Sequence, residues 1–447
     1  MNCIVFYRIA KHAIQLRLVF TSLFLIISLS VSSQFLMDMI DTTTDIGKSV
    51  LSVSKRFDNI RISGYLQPQF QLAETKGAKS FNGGDFATNV NNRFMLRRGR
   101  IRFDYIHFNK DEKPSVQFVF QFDGTERGVF IRDFWGRVFE NKFKLFAFST
   151  GMFARPFSYE LNLSSSDRES PERGRMSQIL MKTERDLGAM ISFEPRIKDH
   201  PLKYLKIDAG FFNGPGLSSP ADYDSHKDFI GRIALKPFPI TKKINLSMAA
   251  SYYKGGILQN TKYVYKIGNT ANGKTFIVDS SISNIGKIAP RKYYGADMQL
   301  KIKNSKGFTE LRAEYMTGTQ TSFANTTETP ASLPTDNTTS FYIRKFNGAY
   351  FYLLQNIFNI HHQLGIKYDW YDPNSEVKEN EIGKAGSNIN EANIKYSTLG
   401  FGYINYINDN LKLILWYEKI LNEKTQLAGY TSDVKDNIFT CRLQFRF

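Results

Sequence analysis

Basic side chains spaced two residues apart are the groups in this chain best placed to do chemistry. In residues 97–102, period two puts three guanidinium groups on one face of a strand. These are Arg98, Arg100 and Arg102. The C-terminus repeats the pattern with Arg442 and Arg446, and a third basic group lies between these two stretches. It consists of Arg155, Arg168, Arg173, Arg175, Lys182 and Arg185.

Two readings of these side chains stay open. Spaced guanidinium groups can pass an anion from one to the next, each replacing part of its hydration shell. Alternatively, they pair with nearby acids and only stiffen the wall that carries them. The nearest such acids are Glu169, Glu172, Glu184 and Asp186. Because the basic residues outnumber these acids, we favour the anion-attracting reading for the set as a whole.

The charge of the whole chain agrees with an anionic partner. Among 447 residues there are 59 Lys and Arg against 42 Asp and Glu, a formal net charge of +17. Such a balance suits nucleic acid, an acidic surface or an anion-conducting pore, and composition alone does not choose between them. The two cysteines, Cys3 and Cys441, predict neither a disulfide framework nor a cysteine-based metal site.

The one motif that could indicate an enzyme lacks the structural context that its chemistry needs. Residues 268–275 match the phosphate-binding loop pattern, but residues 276–279 are β-branched and extended where that motif needs a helix. We read the match as the tip of a hairpin in an outer loop. The chain has no His-Glu-x-x-His pair and no Gly-x-Ser-x-Gly elbow. We therefore expect neither an enzyme nor a cofactor.

Histidine and carboxylate groups also give no clear metal site. The residues Asp222, Asp224, His226 and Asp228 could hold a cation, but a solvated loop is the favoured interpretation. His361 and His362 point to opposite faces of a strand and cannot share a metal without distortion.

The N-terminus has the features of a secretory signal peptide. Basic residues precede an apolar run from Leu18 to Leu29, and small residues follow up to a cleavage site after Ser33. About twelve apolar residues are too few for an ordinary spanning helix. We predict a signal peptide over 1–33 and a periplasmic N-terminal extension over 34–56, which does not alternate. Removal of Arg8, Lys11 and Arg17 lowers the formal charge from +17 to +14.

From residue 60 onward, apolar and polar residues alternate in runs of about ten, the length at which a strand crosses an outer membrane. There are sixteen such runs, an even number as a bacterial barrel requires. They cover approximately 60–72, 94–108, 116–123, 129–138, 143–153, 186–194, 203–212, 228–236, 242–254, 291–303, 307–318, 342–358, 361–371, 394–407, 411–421 and 437–447. Their connections alternate between short and mostly long. The sequence therefore predicts an all-β fold, a 16-stranded antiparallel transmembrane β-barrel over 57–447.

This fold decides where the arginines point. On a lipid-facing surface each charge near the midplane would cost about 2–4 kcal/mol, so Arg98, Arg100 and Arg102 must face the lumen. The aromatic residues of the same strand, Phe103 and Tyr105, then lie on the opposite face. Charge and stacking cannot act on the same polymer strand in this arrangement, so we do not expect nucleic acid as a partner.

Several short motifs of the barrel together resemble a known family. The motifs are Gly64-Tyr65-Leu66-Gln67-Pro68-Gln69-Phe70, Arg97-Arg98-Gly99-Arg100, Gly151 to Glu160, Glu184-Arg185-Asp186-Leu187-Gly188, Phe211-Phe212-Asn213-Gly214 and the terminal Phe447. In combination they resemble the phosphate-selective porins O and P, in the form common in Bacteroidetes-type outer membranes. The resemblance spans about Ile60 to Phe447.

The resemblance implies a sixteen-stranded homotrimeric porin of the cell outer membrane, whose third outer loop folds inward and narrows the channel. By strand count that loop is 154–185, and it carries the third basic group. Ala154 stands where members of the family often have a basic residue, so only Arg155 can serve there. The alternation that ends at Phe447 resembles the signal read by the barrel-assembly machinery, which makes that machinery an expected transient partner, besides outer-membrane lipid.

We therefore expect passive, anion-preferring diffusion of small solutes through a water-filled barrel, with phosphate as the expected cargo. In this account the wall arginines set the potential and the inward loop supplies the narrow site. An alternative stays open, in which the barrel is a scaffold or adhesin with an occluded lumen. It would act through its long outer loops, 255–290 and 319–341.

Overall fold

The computed structural model describes residues 59–110, 113–219, 221–271, 273–334 and 340–447. The predicted signal peptide and N-terminal extension lie outside the described residues. The unit from Ile60 to Phe447 contains eighteen strands in its described part. They are β1 (Ile60–Ala73), β2 (Asn92–Phe108), β3 (Pro114–Thr125), β4 (Gly128–Phe139), β5 (Phe146–Ala154), β6 (Arg185–Phe193), β7 (Leu205–Phe212), β8 (Asp228–Pro239), β9 (Ile244–Leu258), β10 (Val264–Thr270), β11 (Gly273–Asp279), β12 (Ile288–Asn304), β13 (Gly307–Ser322), β14 (Phe341–Asn356), β15 (His362–Asp372), β16 (Tyr396–Asn408), β17 (Leu411–Asn422) and β18 (Ile438–Arg446).

Sixteen of these strands form a closed antiparallel barrel. Each pairs with the next along the chain, β9 pairs with β12, and pairing of β1 with β18 closes the circle. The other two, β10 and β11, form a hairpin within the connection between β9 and β12. The predicted fold class is confirmed, and each of the sixteen predicted runs coincides with one barrel strand.

Side chains alternate across the barrel wall as the period of two requires. On β15, Leu364, Ile366 and Tyr368 are exposed on the outside, whereas Gln363 and Lys367 are buried. Other barrel strands likewise present exposed Leu, Ile, Val or Phe on the outer face. A continuous apolar outer belt with polar groups inside is the pattern of a barrel that lies in lipid.

The connections differ at the two ends of the barrel. One end has the short connections 109–113, 140–145, 194–204, 240–243, 305–306, 357–361 and 409–410. The other end has 74–91, 155–184, 213–227, 259–287, 323–340, 373–395 and 423–437, with only 126–127 brief. The predicted alternation of short turns and mostly long outer loops is confirmed.

Helices are few and short in the described part of the chain. Two α-helices, α1 (Tyr159–Asn162) and α2 (Arg175–Leu180), lie in the connection between β5 and β6. Four 3-10 turns lie in other outer connections, at Gly216–Ser218, Ile282–Asn284, Glu379–Glu381 and Glu391–Asn393. Within the described ranges, no helix has the length and apolar content needed to cross a membrane.

The hairpin of β10 and β11 explains the match to the phosphate-binding motif. Its strands pair from Val264 with Asp279 to Thr270 with Gly273, as predicted for residues 268–275. The amine of Lys274 donates to the carbonyl of Glu376, and the Thr275 hydroxyl hydrogen-bonds to Asn388 at 2.8 Å. Both residues therefore join the hairpin to the outer loop 373–395.

The long outer loops form one connected layer. Phe276 of the hairpin is buried in an apolar cluster with residues of 373–395, including Ile382 and Ile389. Three further hydrogen bonds join neighbouring loops: Gln426 N to Ile382 O at 3.0 Å, Asn390 Nδ2 to Ala324 O at 2.9 Å, and Thr75 Oγ1 to Lys435 O at 2.8 Å. The loops thus support one another on this end of the barrel.

A charge placed on the outer belt tests the orientation of the wall. Ile366 lies midway along β15 and is 48% exposed. Ile366→Arg is expected to lower the free energy of unfolding in lipid vesicles by about 2–4 kcal/mol, because the guanidinium must enter the hydrocarbon. Ile366→Leu is the matched control and is expected to cost less than about 1.5 kcal/mol. Equal urea midpoints for the two variants would contradict a lipid-facing Ile366.

Candidate functional site

The connection between β5 and β6, residues 155–184, contacts the inner side chains of the barrel; we call it the β5–β6 segment. Glu169 binds Arg312 of β13 at 2.7 Å, and the Ser170 hydroxyl hydrogen-bonds to Tyr352 of β14 at 2.7 Å. The amine of Lys412 on β17 donates to the carbonyls of residues 166 and 168 at 2.6 and 3.1 Å. The segment therefore makes polar contacts with strands from separate parts of the wall.

Apolar packing holds the other side of the β5–β6 segment. Its buried side chains Phe157, Leu161 and Met176 belong to one cluster with side chains of the barrel strands. The strand residues of this cluster include Phe212, Ile230, Tyr253, Tyr293, Met316, Phe346 and Tyr371. Burial of an aromatic or aliphatic side chain contributes roughly 1.5–3 kcal/mol, so the cluster is a strong constraint on where the segment lies.

Glu172 of the β5–β6 segment is surrounded by three guanidinium groups. Arg98 binds both carboxylate oxygens at 2.9 and 2.6 Å, Arg97 binds them at 2.8 and 3.1 Å, and Arg442 approaches at 2.8 Å. Burial by itself raises the pKa of this carboxyl group. The three arginines outweigh it and hold the pKa of Glu172 well below its ordinary value of 4.5.

Glu184, the last residue of the segment, is surrounded by a second set of guanidinium groups. Its oxygens lie 2.5 Å from Arg132, and at 3.5 to 3.9 Å from three further guanidinium groups, those of Arg168, Arg173 and Arg185. Burial again raises the pKa of Glu184, but Arg173, Arg132 and Arg185 together hold it well below 4.5. Both glutamates are therefore ionised at neutral pH.

Two β-bulges bring arginines to these carboxylates. The register between β1 and β2 shifts between Gln67 and Pro68, so that Arg97 is the extra residue and joins Arg98 at Glu172. The register between β3 and β4 shifts in the same way at Arg132, which reaches Glu184. A bulge re-aims a side chain that strict alternation would send to the other face.

Positive charge exceeds negative charge in this cluster. Seven arginines of the described chain lie within 4.0 Å of only two glutamates: Arg97, Arg98, Arg132, Arg168, Arg173, Arg185 and Arg442. Two wall aspartates add negative charge, Asp123 beside Arg132 and Asp133 beside Arg185. Seven cations and four carboxylates leave a local surplus of three positive charges. We call this set the guanidinium cluster.

A cavity of about 520 Å³ adjoins the guanidinium cluster. Its described lining has eight basic side chains, Arg100, Arg102, Arg137, Arg168, Arg185, Lys206, Arg232 and Arg446. It has three acidic ones, Asp133, Asp167 and Asp208. Arg137 and Lys206 lie close to short connections, which places the cavity towards the short-turn end of the barrel. Basic side chains therefore outnumber acidic ones in the lining, although seven of the eight have a carboxylate within 4.0 Å.

Among the described lining residues, Arg168 is the one whose side chain has two buried donors without a hydrogen-bond partner. Its side chain is buried, with the residue 4% exposed, and Nη2 donates to the carbonyl of Leu163 at 3.2 Å. Nε and Nη1 have no hydrogen-bond partner among the described residues. Burial, and then the charges of Arg173 and Arg98, lower the pKa of Arg168 to about 10, so it stays protonated at neutral pH. Each buried donor without a partner is costly, and an anion that accepted a hydrogen bond from it would offset that cost.

Some of the predicted site residues line the cavity, and others form contacts away from it. Arg100, Arg102, Arg168, Arg185 and Arg446 line the cavity. Arg98 and Arg442 bind Glu172 instead.

The other loop residues point elsewhere. Arg173 donates to the carbonyls of Ser177 and Met181, and Arg155 donates to those of Thr183 and Gly214. The guanidinium of Arg175 lies between two aromatic rings, 4.6 Å from Phe81 and 3.5 Å from Tyr396. Lys182 pairs with Glu328 at 2.6 Å in an exposed ion pair. The role of each of these residues towards an anion stays a prediction.

Five basic residues of the site were not predicted. Arg97 and Arg132 depend on bulges, for which the alternation gives no signal. The alternation of period two could have predicted the other three, Arg137, Lys206 and Arg232. For example, it places Arg137 on the inner face of β4 with Asp133 and Trp135. They were missed because they stand singly on their strands and not in a basic run.

The candidate cation cluster serves the local fold. Asp222 pairs with Lys227 at 2.5 Å, Asp224 accepts from two backbone amides, and Asp228 binds Arg291 at 3.3 Å. Within the described ranges, no group of three or more His, Cys, Asp or Glu side chains is arranged to hold a metal ion.

Solved structures with the same architecture belong to outer-membrane proteins. The outer membrane channel DcaP of Acinetobacter baumannii matches with a TM-score of 0.51 and 12% identity, over 87% of this chain and 97% of that chain. Pseudomonas putida OprB matches with a TM-score of 0.52 and 8% identity, over 91% and 98%. At such identities the likeness concerns the fold alone. No family model and no curated protein sequence matches the chain.

Fold and comparisons define the class of protein. The chain has the porin type of outer-membrane β-barrel, closed by sixteen antiparallel strands with an apolar outer belt, and the outer membrane is its location. The more specific resemblance to the phosphate-selective porins O and P stays a prediction.

Removal of one carboxylate tests what holds the β5–β6 segment. Glu172→Gln leaves two buried guanidinium groups, Arg98 and Arg442, and the partly exposed Arg97 without their counter-charge, a loss of about 3–5 kcal/mol for a broken buried pair. The segment is expected to detach, so that trypsin cuts the detergent-solubilised variant after Arg168 or Arg173 while the wild type resists.

Glu328→Gln is the matched control, because the one ion pair of Glu328 among the described residues is with exposed Lys182, and such pairs contribute about 0–1 kcal/mol. This variant is expected to resist trypsin like the wild type. Equal cleavage of Glu172→Gln and wild type would show that the apolar cluster alone fixes the segment.

Proposed function

We propose that this protein is an outer-membrane porin through which small solutes diffuse passively, with a preference for anions. The observation that carries the proposal is the cavity lining, in which eight basic side chains face three acidic ones. A porin fold with no recognised catalytic motif favours a channel over an enzyme. Fixed cations inside a narrow aqueous space raise the local concentration of anions and offset part of the energy needed to dehydrate them.

The β5–β6 segment is the proposed narrowing element. Its ion pairs with Arg98 and Arg442 join it to one part of the wall, and its apolar cluster joins it to another. Because Arg168 belongs to the segment and lines the cavity, the proposed narrow site and the proposed anion site share one side chain. In this proposal Arg168 binds the anion at the narrow site, a role that the sequence analysis gave to the third basic group as a whole.

Phosphate or a phosphorylated solute is the proposed cargo. Arg168 presents two donors without a partner among the described residues, Nε and Nη1. They lie on different edges of the guanidinium, so each can donate a single hydrogen bond to an oxyanion. Arg100 and Arg185 line the same cavity but each is also paired with a wall aspartate. Arg168 is therefore the proposed primary contact.

The proposed assembly is a homotrimer in outer-membrane lipid, inserted through transient contact with the barrel-assembly machinery. It rests on the resemblance to trimeric porins and on the exposed apolar belt. Cross-linking in native membranes would give a three-chain species if the proposal is right and only single chains if it is wrong.

Ion selectivity in planar bilayers tests the function. Under a potassium chloride gradient the wild type is expected to show a reversal potential that favours chloride over potassium. Arg168→Gln is expected to move the permeability ratio towards unity and to weaken block by added phosphate, because it removes the one lining guanidinium with two buried donors that have no partner among the described residues.

Arg127→Gln is the matched control, since Arg127 lies on the brief outer connection with a side chain 79% exposed. Its selectivity is expected to equal that of the wild type. Cation preference of the wild type, or absence of conductance, would overturn the proposal.

A scaffold or adhesin is the second candidate function. The connected layer of outer loops favours it, because the hairpin of β10 and β11 and the loop 373–395 together form a folded surface on the long-loop end. Deletion of residues 264–279 separates the two functions. A porin keeps its anion preference with equal or larger conductance, whereas a scaffold gives no chloride current before or after the deletion.

A further inference from the structure

The cavity beside the guanidinium cluster has an apolar wall as well as a basic one. Trp135 of β4, Phe153 of β5 and Met190 of β6 line it on three consecutive strands. They pack with Leu161 of α1 in the main apolar cluster, and the rings of Trp135 and Phe153 lie edge to face at 6.5 Å. The apolar lining is therefore one continuous patch.

Basic groups border this patch. The guanidinium of Arg137 lies over one face of the Trp135 ring, 5.2 Å from its centre, and Arg185, Arg168 and Arg232 line the same cavity. A flat ring that contacts the edge or the other face of Trp135 would therefore have cationic groups beside it. Aromatic rings gain from stacking or edge contacts with each other, beyond the area that they bury.

The size of the cavity also exceeds what a bare inorganic anion needs. At about 30 Å³ for each water, 520 Å³ corresponds to on the order of fifteen or more waters. Pockets that bind organic ligands have volumes of about 300–1,000 Å³ and combine an apolar lining with a few placed polar groups. This cavity has both properties.

We propose that the cavity selects organic anions that carry a flat ring next to a carboxylate or phosphate group, in preference to inorganic phosphate alone. The ring lies on the Trp135 patch and the anionic group binds Arg168 and its basic neighbours. This inference rests on the proposed anion-preferring channel and specifies its substrate class. It makes Trp135 a specificity-determining residue, which sequence reasoning did not single out.

Block of the chloride current by two probes tests the inference. Phenyl phosphate and inorganic phosphate carry the same anionic group and differ by the ring. Phenyl phosphate is expected to block the wild type at about tenfold lower concentration, the effect of one additional aromatic contact. Phenol, which has the ring without the charge, is expected not to block at the same concentrations.

Trp135→Leu is expected to remove most of this difference by weakening block by phenyl phosphate. Trp370→Leu is the matched control, because Trp370 stacks on Phe351 of the neighbouring strand and does not line the cavity. It is expected to keep the tenfold difference. The comparison of probes on the wild type decides between ring-bearing and bare anions even if Trp135→Leu does not assemble.

The outcomes separate this inference from the proposed function. Equal block by both probes, or stronger block by inorganic phosphate, overturns the inference and leaves an anion-preferring porin. A difference that persists in Trp135→Leu also overturns it, since the ring then binds elsewhere. A wild type with cation preference or no current overturns the proposed function itself.

Discussion

Two buried carboxylates are the constraint on which the barrel interior depends. Glu172 and Glu184 stand among seven guanidinium groups that would otherwise repel one another in a space of low dielectric constant. Both glutamates belong to the β5–β6 segment and the arginines belong mostly to the wall. The same ion pairs therefore neutralise part of the wall charge and fix the segment. The charge that remains is positive, and two of the seven arginines, Arg168 and Arg185, line the cavity.

The β5–β6 segment is held by apolar packing and by ion pairs, and together these two interactions determine the lining of the cavity. Apolar packing around Phe157 and Met176 fixes one side without regard to charge, whereas the carboxylate contacts fix the other side. Between them the chain leaves a cavity with a cationic lining and an apolar patch. Arg168 gains its position from this arrangement: its backbone is held by Lys412, and two of its side-chain donors stay unpartnered among the described residues. Its ion pair with Glu184 is long, at 3.9 Å, and leaves these two donors to bind an anion.

The sequence allowed prediction of the barrel and of part of the site. Strand positions followed from the period of two, since one face of every strand meets lipid and must be apolar. The same rule placed Arg98, Arg100 and Arg102 inside. It could not place Arg97 or Arg132, because a bulge depends on the register between two strands and not on either strand alone. Nor could it distinguish Arg168 from other loop arginines, whose partners depend on how residues distant in sequence meet in three dimensions.

The most direct test of the account is the position of a heavy halide in crystals of the protein. Bromide scatters anomalously and reports where small anions bind, independently of conductance. The account predicts an anomalous peak within hydrogen-bonding distance of Arg168 Nε or Nη1, and its loss in Arg168→Gln. A cavity without bromide at Arg168, in crystals that show bromide at other surfaces, would contradict the claim that the surplus guanidinium charge forms an anion site.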